Sequence, residues 1–355
     1  MQIGDLMTES GVQFGTSGAR GRVEDMTDRV CYAYTLGFLR YCVAIGVLPA
    51  GGEVALAGDY RPSTGRILQA CAQAVADAGH RPRYLGRIPS PALAAFGLGQ
   101  GLPSLMVTGS HIPDDRNGIK FNLPGGEILK ADEAGIRAQT VALPPGLFTP
   151  EGDLMPAAAR PLPAEDPAGY RAYVARYLDF FPAGCLAGMS IGLYEHSSVA
   201  REALYEVLTG LGARVERLGR SEVFIPVDTE AIRPEDARLG REWAATGCYQ
   251  ALVSADGDGD RPLISDERGE WLRGDITGIL CARHLGAQGV ATPVSCNTAL
   301  EKTGWFPLVR RTRIGSPFVI EGMTALKAAG LAPVVGYEAN GGFLTATDLV
   351  RDGRR

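Results

Sequence analysis

Histidine is scarce in this chain, with four among 355 residues: His80, His111, His196 and His284. His111 adjoins Ser110, but adjacency in sequence does not make a Ser-His-Asp triad. The seven cysteines, Cys31, Cys42, Cys71, Cys185, Cys248, Cys281 and Cys296, are odd in number and scattered, with no CxxC pair. A disulfide framework or a zinc site needs clustered spacing. They read instead as reduced thiols packed like small apolar residues, which fits a cytoplasmic protein. The chain has no apolar run of about 18 residues to span a bilayer. Its opening, MQIGDLMTESGVQFG, lacks the basic-then-apolar order of a secretory signal. No basic block occurs and the net charge is −5, which speaks against a nucleic-acid surface.

What is present is an ordinary globular composition, 45% hydrophobic and 21% charged, long enough for two or three domains. A strand–turn–helix–strand unit recurs. In the first copy an apolar run, Val54–Ala57, leads through GDYRPSTG into a helix from about Arg66 to Ala78, and RPRYLG returns as a strand. The second copy runs MSIGLYEHSSV, helix AREALYEVLTGL, then Gly212 and ARVERLG; a third opens with GVATPVSCNTALEKTG. Alternation of this kind predicts α/β architecture with mixed, largely parallel sheets covered by helices. The proline-rich stretch Pro144–Pro167 reads as a linker, and SDERGEWLRGD as strand–turn–strand around Arg268-Gly269. Three consecutive α/β domains are therefore expected, at residues 1–148, 149–265 and 266–355.

Four segments carry candidate chemistry. In SLMVTGSHIPDDRNGIKF an apolar strand runs into Thr108-Gly109-Ser110-His111, where small neighbours leave the Ser110 hydroxyl exposed at a strand end. Such a serine is a nucleophile only when activated; otherwise the segment is a polar turn. In ALVSADGDGDRPLISD, Asp256, Asp258 and Asp260 alternate with glycines after an apolar run. Carboxylates this close repel unless a cation neutralises them, and hard oxygen ligands select magnesium or calcium. A solvated acidic turn is the plain alternative. Glu267 falls at the twelfth position of an EF-hand counted from Asp256, but the sixth is Arg261 where glycine is needed, and the flanks read as strands. In VVGYEANGGFLTATD, Glu338 and Asn340 offer acceptors and donors suited to neighbouring sugar hydroxyls. In FGTSGARGRV, Arg20 follows a small-residue turn and suits phosphate.

Together and in this order the four segments resemble the α-D-phosphohexomutases, the family of phosphomannomutases, phosphoglucomutases and phosphoglucosamine mutases. FGTSGARG resembles the family's N-terminal arginine loop, TGSHIPDDRNGIKF its phosphoserine loop, DGDGDR its metal loop and GYEANGGF its sugar-recognition loop. RTRIGSPFVIEGM, Arg311–Met323, resembles the third-domain loop, with Arg313 and Ser316 as substrate-binding candidates. The resemblance spans nearly the whole chain. It implies that Ser110 bears a transferable phosphoryl group, with His111 beside it, and that Asp256, Asp258 and Asp260 hold one Mg²⁺ completed by an oxygen on phospho-Ser110. Arg261 and Arg20 would steady the phosphoryl group, Lys120 would act in proton transfer, and Glu338 with Asn340 would hold the sugar. The implied reaction interconverts hexose 6-phosphate and hexose 1-phosphate through a hexose 1,6-bisphosphate, which also serves as activator. Partners would be hexose phosphates, with neither nucleic acid nor membrane.

The chain departs from the family pattern at Ile112, where asparagine is commoner, at Tyr337 within the sugar loop, and at Gly342 and Ser316, where some members have histidine. Family members continue into a fourth domain whose Arg-Ser-Thr-Glu loop grips the non-reacting phosphate. Nothing in TATDLVRDGRR resembles that loop, and the chain reads as breaking off within a helix of the third domain. A phosphosugar-binding or regulatory module is accordingly the second expectation, and a calcium-dependent structural protein the third. Mannose and glucose are not separated by these residues, although Ser17 stands where phosphoglucosamine mutases tend to have aspartate.

Overall fold

A computed structural model describes residues 1–15, 18–350 and 353–354; Ser17, the position that bears on substrate, lies outside them. The chain divides into two compact units, Met1–Tyr173 and Val174–Arg355.

The first unit carries strands β1 (Gln13–Phe14), β2 (Gly18–Arg22), β3 (Glu53–Gly58), β4 (Arg81–Tyr84), β5 (Ser104–Val107), β6 (Arg116–Leu123) and β7 (Gly126–Glu127). They form one sheet in the order β1-β2-β6-β5-β3-β4, with β7 on β6. Its helices are α1 (Ile3–Ser10), α2 (Asp28–Ala44), α3 (Thr64–Asp77), α4 (Ser90–Gln100) and α5 (Lys130–Arg137), and α6 (Ala168–Phe180) runs on into the second unit. The Thr27 hydroxyl caps α2 by accepting from the Val30 N–H at 3.3 Å. The apolar stripe of α3, Ile67, Leu68, Cys71 and Val75, is wholly buried; full burial of one such aliphatic chain contributes about 1.5–3 kcal/mol.

The expected linker is not free. Leu147 and Leu154 enter the first unit's core, and the Leu154 N–H donates to Asp28 Oδ2 at 2.8 Å. Apolar residues spaced among its prolines give Pro144–Pro167 something to bury.

The second unit holds two four-stranded sheets. In the first, β8 (Ser190–His196), α7 (Arg201–Gly210), β9 (Arg214–Arg220), α8 (Pro234–Thr246), β10 (Ala251–Ala255) and β11 (Pro262–Ile264) give the order β11-β10-β8-β9. In the other, α9 (Gly274–His284) precedes β12 (Gly289–Pro293), α10 (Ala299–Lys302), β13 (Leu308–Thr312), α11 (Ser316–Ala328), β14 (Val334–Tyr337) and β15 (Phe343–Thr345), in the order β13-β12-β14-β15.

One pattern runs through all three sheets. A first strand pairs in parallel with the second and third, and the third then turns back into an antiparallel fourth: β3, β4, β5, β6; β8, β9, β10, β11; β12, β13, β14, β15. The recurrence read from the sequence is real, including its weakest copy, whose first helix has only four residues. The serine, metal and sugar loops are the three turns joining third strand to fourth.

Four expectations need correction. Arg20 lies within β2, opposite Gly118 of β6, because its glycine-rich segment pairs as a strand where the sequence suggests a loop. Much of Arg311–Met323 is the end of β13 and the start of α11. After α11 the last named element is the strand β15, with Thr345 opposite Val335, and no helix follows among the described residues. Cys31, Cys42, Cys71 and Cys296 are buried as expected, but Cys185, Cys248 and Cys281 are exposed; all seven are free. No helix among the described residues is long and apolar enough to cross a membrane.

Candidate functional site

The serine loop follows β5, a strand buried along its whole length. Ser110 adopts a φ of 57°, a region that side-chain-bearing residues seldom occupy. It is held there by a buried ion pair that the sequence does not announce. Asp59, at the end of β3, pairs with Arg61 at 3.0 Å, and both side chains are fully buried. Asp59 Oδ2 accepts from the Thr108 hydroxyl at 2.8 Å, whose oxygen in turn accepts from the Ser110 N–H at 2.8 Å. Arg61 donates to the Ser110 carbonyl at 2.7 Å and to the Pro113 carbonyl at 3.0 Å. The Ser110 peptide is thus gripped on both sides from one charge pair.

Gly109 is required for this closure, since a Cβ there would sit 2.7 Å from Arg61 Cζ. The same closure overturns the expected exposure of Ser110, which is 1% accessible. His111 Nδ1 lies 3.5 Å from Ser110 Oγ, at the outer edge of hydrogen bonding. Arg20 and Lys120 occupy one face of the sheet: Lys120 is opposite Gly18 and Arg20 opposite Gly118, so their side chains are diagonal neighbours.

In the second unit the metal loop joins β10 to β11. Asp256 and Asp258 are fully buried, and one oxygen from each of Asp256, Asp258 and Asp260 lies within 4.8 Å of the others. Opposed oxygens on a magnesium ion are about 4.2 Å apart, so the three need only small movements to share one. Gly259, with φ 73°, makes the turn. Arg261 donates its N–H to Asp256 Oδ1 at 3.2 Å, and its guanidinium lies 3.7 Å from Asp260. Burial lowers the Arg261 pKa, but Asp256, Asp260, Asp258 and Glu338 outweigh it and the guanidinium is held above its usual range. An all-oxygen, triply anionic set suits a hard divalent cation.

The same unit brings the sugar loop alongside. A Cβ on Gly341 would sit 2.8 Å from the Pro262 carbonyl, next to Arg261. Glu338 Oε1 accepts from the Gly315 N–H at 3.2 Å, Asn340 Oδ1 from the Gly342 N–H at 2.9 Å, and the Thr229 hydroxyl donates to the Asn340 carbonyl. Arg313 is exposed, its guanidinium 5.5 Å from the Phe318 ring, and Ser316 opens α11.

Ser110, His111, Arg20 and Lys120 therefore belong to the first unit, and Asp256, Asp258, Asp260, Arg261, Arg313, Ser316, Glu338 and Asn340 to the second. Sequence reasoning missed Asp59, Arg61, Thr108 and Thr229. For Asp59 and Arg61 the only local sign is GDYRPSTG at a strand end, which reads as a turn, and Thr108 stands in the serine segment without a role assigned to it.

The family model described as phosphoglucomutase/phosphomannomutase, alpha/beta/alpha domain I, matches residues 11–143. A phosphomannomutase from Salmonella muenchen is 43% identical over 345 residues, covering 97% of this chain and 69% of that protein. The chain belongs to the phosphoglucomutase/phosphomannomutase family. A Sinorhizobium fredii phosphomannomutase is 44% identical over 339 residues, covering 96% of this chain and 70% of its own length. A solved phosphoglucomutase/phosphomannomutase family protein from Burkholderia thailandensis superimposes with a TM-score of 0.72 at 19% identity, over 93% of this chain and 71% of that one. As a phosphoglucomutase/phosphomannomutase family member, the chain is a phosphosugar mutase of the isomerase class.

Proposed function

We propose that this mutase interconverts mannose 6-phosphate and mannose 1-phosphate, with glucose phosphates as the second substrate pair, through a phosphoryl group carried on Ser110. The observation that carries the reading is the buried convergence of Asp256, Asp258 and Asp260 beside Arg261 and Glu338. The choice of mannose is supported by the two phosphomannomutase relatives. Each sheet contributes one functional loop, which supports reading domains at 1–148, 149–265 and 266–355.

Phosphoryl transfer depends on positioning and on neutralising oxygen charge. Mg²⁺, held by the three aspartates, would supply that neutralisation as a Lewis acid. Ser110 gives its phosphoryl group to the free hydroxyl of a hexose monophosphate, and Lys120 takes up the proton that hydroxyl loses. The hexose 1,6-bisphosphate then returns its other phosphoryl group to Ser110 Oγ, and the second monophosphate leaves. Arg20 and Arg261 steady the phosphoryl oxygens. Glu338 accepts from sugar hydroxyls, with Asn340 beside it and Arg313 and Ser316 as further substrate contacts.

Peptide mapping after incubation with mannose 1,6-bisphosphate tests this directly. Phosphate should appear on Ser110 and be absent from Ser110→Ala; phosphate confined to other residues removes the assignment.

A further inference from the structure

The last residue of β8 and the turn that follows it take hold of the metal loop through three successive backbone carbonyls. His196 Nε2 lies 2.7 Å from the Ala255 carbonyl oxygen, so the imidazole donates from that nitrogen. The Ser198 hydroxyl donates to the Asp256 carbonyl at 2.7 Å. The Val199 N–H donates to the Gly257 carbonyl at 3.1 Å. His196 and Ser198 are wholly buried, and His196 adopts a φ of 29°. The turn is itself anchored, since Arg201 donates to the His196 carbonyl at 3.2 Å and Ser198 Oγ accepts from the Ala200 N–H at 3.1 Å.

The topology explains why these residues meet. β8 and β10 are parallel neighbours, so the turns leaving their C-terminal ends lie side by side. The arrangement parallels the first unit, where the turn after β3 holds the serine loop after β5. In the third sheet Thr292, near the end of β12, donates to the Tyr337 carbonyl at 2.9 Å, just before the sugar loop.

We infer that His196 and Ser198 are positioning residues for the metal site: by tying down the Ala255–Gly257 backbone they hold the three aspartates in register before a cation arrives. This rests on the reading of Asp256, Asp258 and Asp260 as ligands. A ligand set organised in advance does not spend binding energy on ordering the loop, and groups that orient metal ligands typically change affinity by about 10–100-fold when removed. The remaining Val199 contact comes from the backbone, so single side-chain changes should land near the lower end of that range.

The test is Mg²⁺ affinity by isothermal titration calorimetry on the full chain, with the unfolding midpoint in EDTA measured alongside. Ser198→Ala should weaken Mg²⁺ binding roughly tenfold, while Ser198→Thr, which keeps the hydroxyl, should bind close to wild type. His196→Asn, able to donate and to tolerate positive φ, should outperform His196→Ala; if the alanine variant does not fold, the Ser198 pair decides alone. A purely structural role would lower the EDTA midpoint and leave the affinity of the folded protein unchanged. Wild-type affinity in Ser198→Ala, with binding lost in Asp258→Asn, overturns the inference and leaves the ligand reading standing. Unchanged affinity in Asp258→Asn removes the ligand reading itself.

Discussion

Arg61 and Ser110, 49 residues apart, are joined by a 2.7 Å hydrogen bond from the guanidinium to the serine carbonyl. That bond ties the candidate nucleophile to a charge pair with no solvent exposure. Replacing Arg61 with methionine keeps much of the volume but leaves Asp59 charged and buried without its counter-ion. Breaking such a pair from one side costs about 3–5 kcal/mol. Urea unfolding of Arg61→Met should show a loss of that size, and Asp59→Asn/Arg61→Met should recover part of it. A loss under about 1 kcal/mol would mean that hydrogen bonding, and not the charge, holds the loop.

Ser110 itself should trade stability for function. Its φ of 57° is one that glycine adopts without penalty, whereas a residue with a Cβ loses about 1 kcal/mol there. Ser110→Gly should therefore be as stable as wild type or up to about 1 kcal/mol more stable in thermal unfolding, while accepting no phosphate from hexose bisphosphate. A clearly destabilised Ser110→Gly would show that hydroxyl contacts outweigh the backbone strain.

The parts legible in the sequence are those written locally. Alternating Asp and Gly between two apolar runs, a serine among small residues at a strand end, and strands alternating with helices each need only a short window. What stays hidden is made by long-range pairing. Asp59 and Arg61 look like any turn until β3 and β5 are neighbours, and His196 and Ser198 look like a strand end until β8 lies beside β10. The third copy of the repeat is faint because its first helix is four residues long. The final stretch TATDLVRDGRR reads as part of a helix, but β-branched Thr345 pairs with Val335 and Thr347 Oγ1 accepts from the Val334 N–H at 2.9 Å.

His196 makes stability depend on pH. Burial is the main force pushing its imidazole down to about 4, against the Ala255 carbonyl and Asp236, which favour the cation, and with Arg233 and Arg201, which oppose it. The ring of Tyr194 lies 5.1 Å away. Unfolded histidine titrates near 6.5, so as pH falls below that value the unfolded chain takes up a proton that the folded chain refuses until about pH 4. A tenfold difference in proton affinity between the two states is worth about 1.4 kcal/mol. Stability should therefore drop by about 2 kcal/mol between pH 7 and pH 5 through this residue. Urea midpoints for wild type and His196→Asn at the two pH values isolate the effect. Equal pH sensitivity in both proteins would show that other groups dominate acid destabilisation.

The metal loop should be less stable than its neutralised variant until a cation is supplied. Asp256, Asp258 and Asp260 place three oxygens within 4.8 Å, with Asp256 and Asp258 fully buried. At an effective dielectric of about 20, each pair of charges repels by roughly 3 kcal/mol, and the single guanidinium of Arg261 offsets only part of the total. Asp258→Asn keeps the shape, removes two of the three repulsions and lowers affinity for Mg²⁺. In EDTA its thermal midpoint should therefore rise by a few degrees, at about 2–4 °C per kcal/mol for a unit of this size. Excess Mg²⁺ should reverse the order, because wild type gains about 2.7 kcal/mol at a hundredfold excess over Kd and the variant gains far less. Ca²⁺ should stabilise wild type too but support little turnover, since its longer and looser coordination displaces the phosphoryl oxygens. If Asp258→Asn instead lowers the midpoint in EDTA, the carboxylates are held by compensating hydrogen bonds, and their convergence is no sign of a cation site.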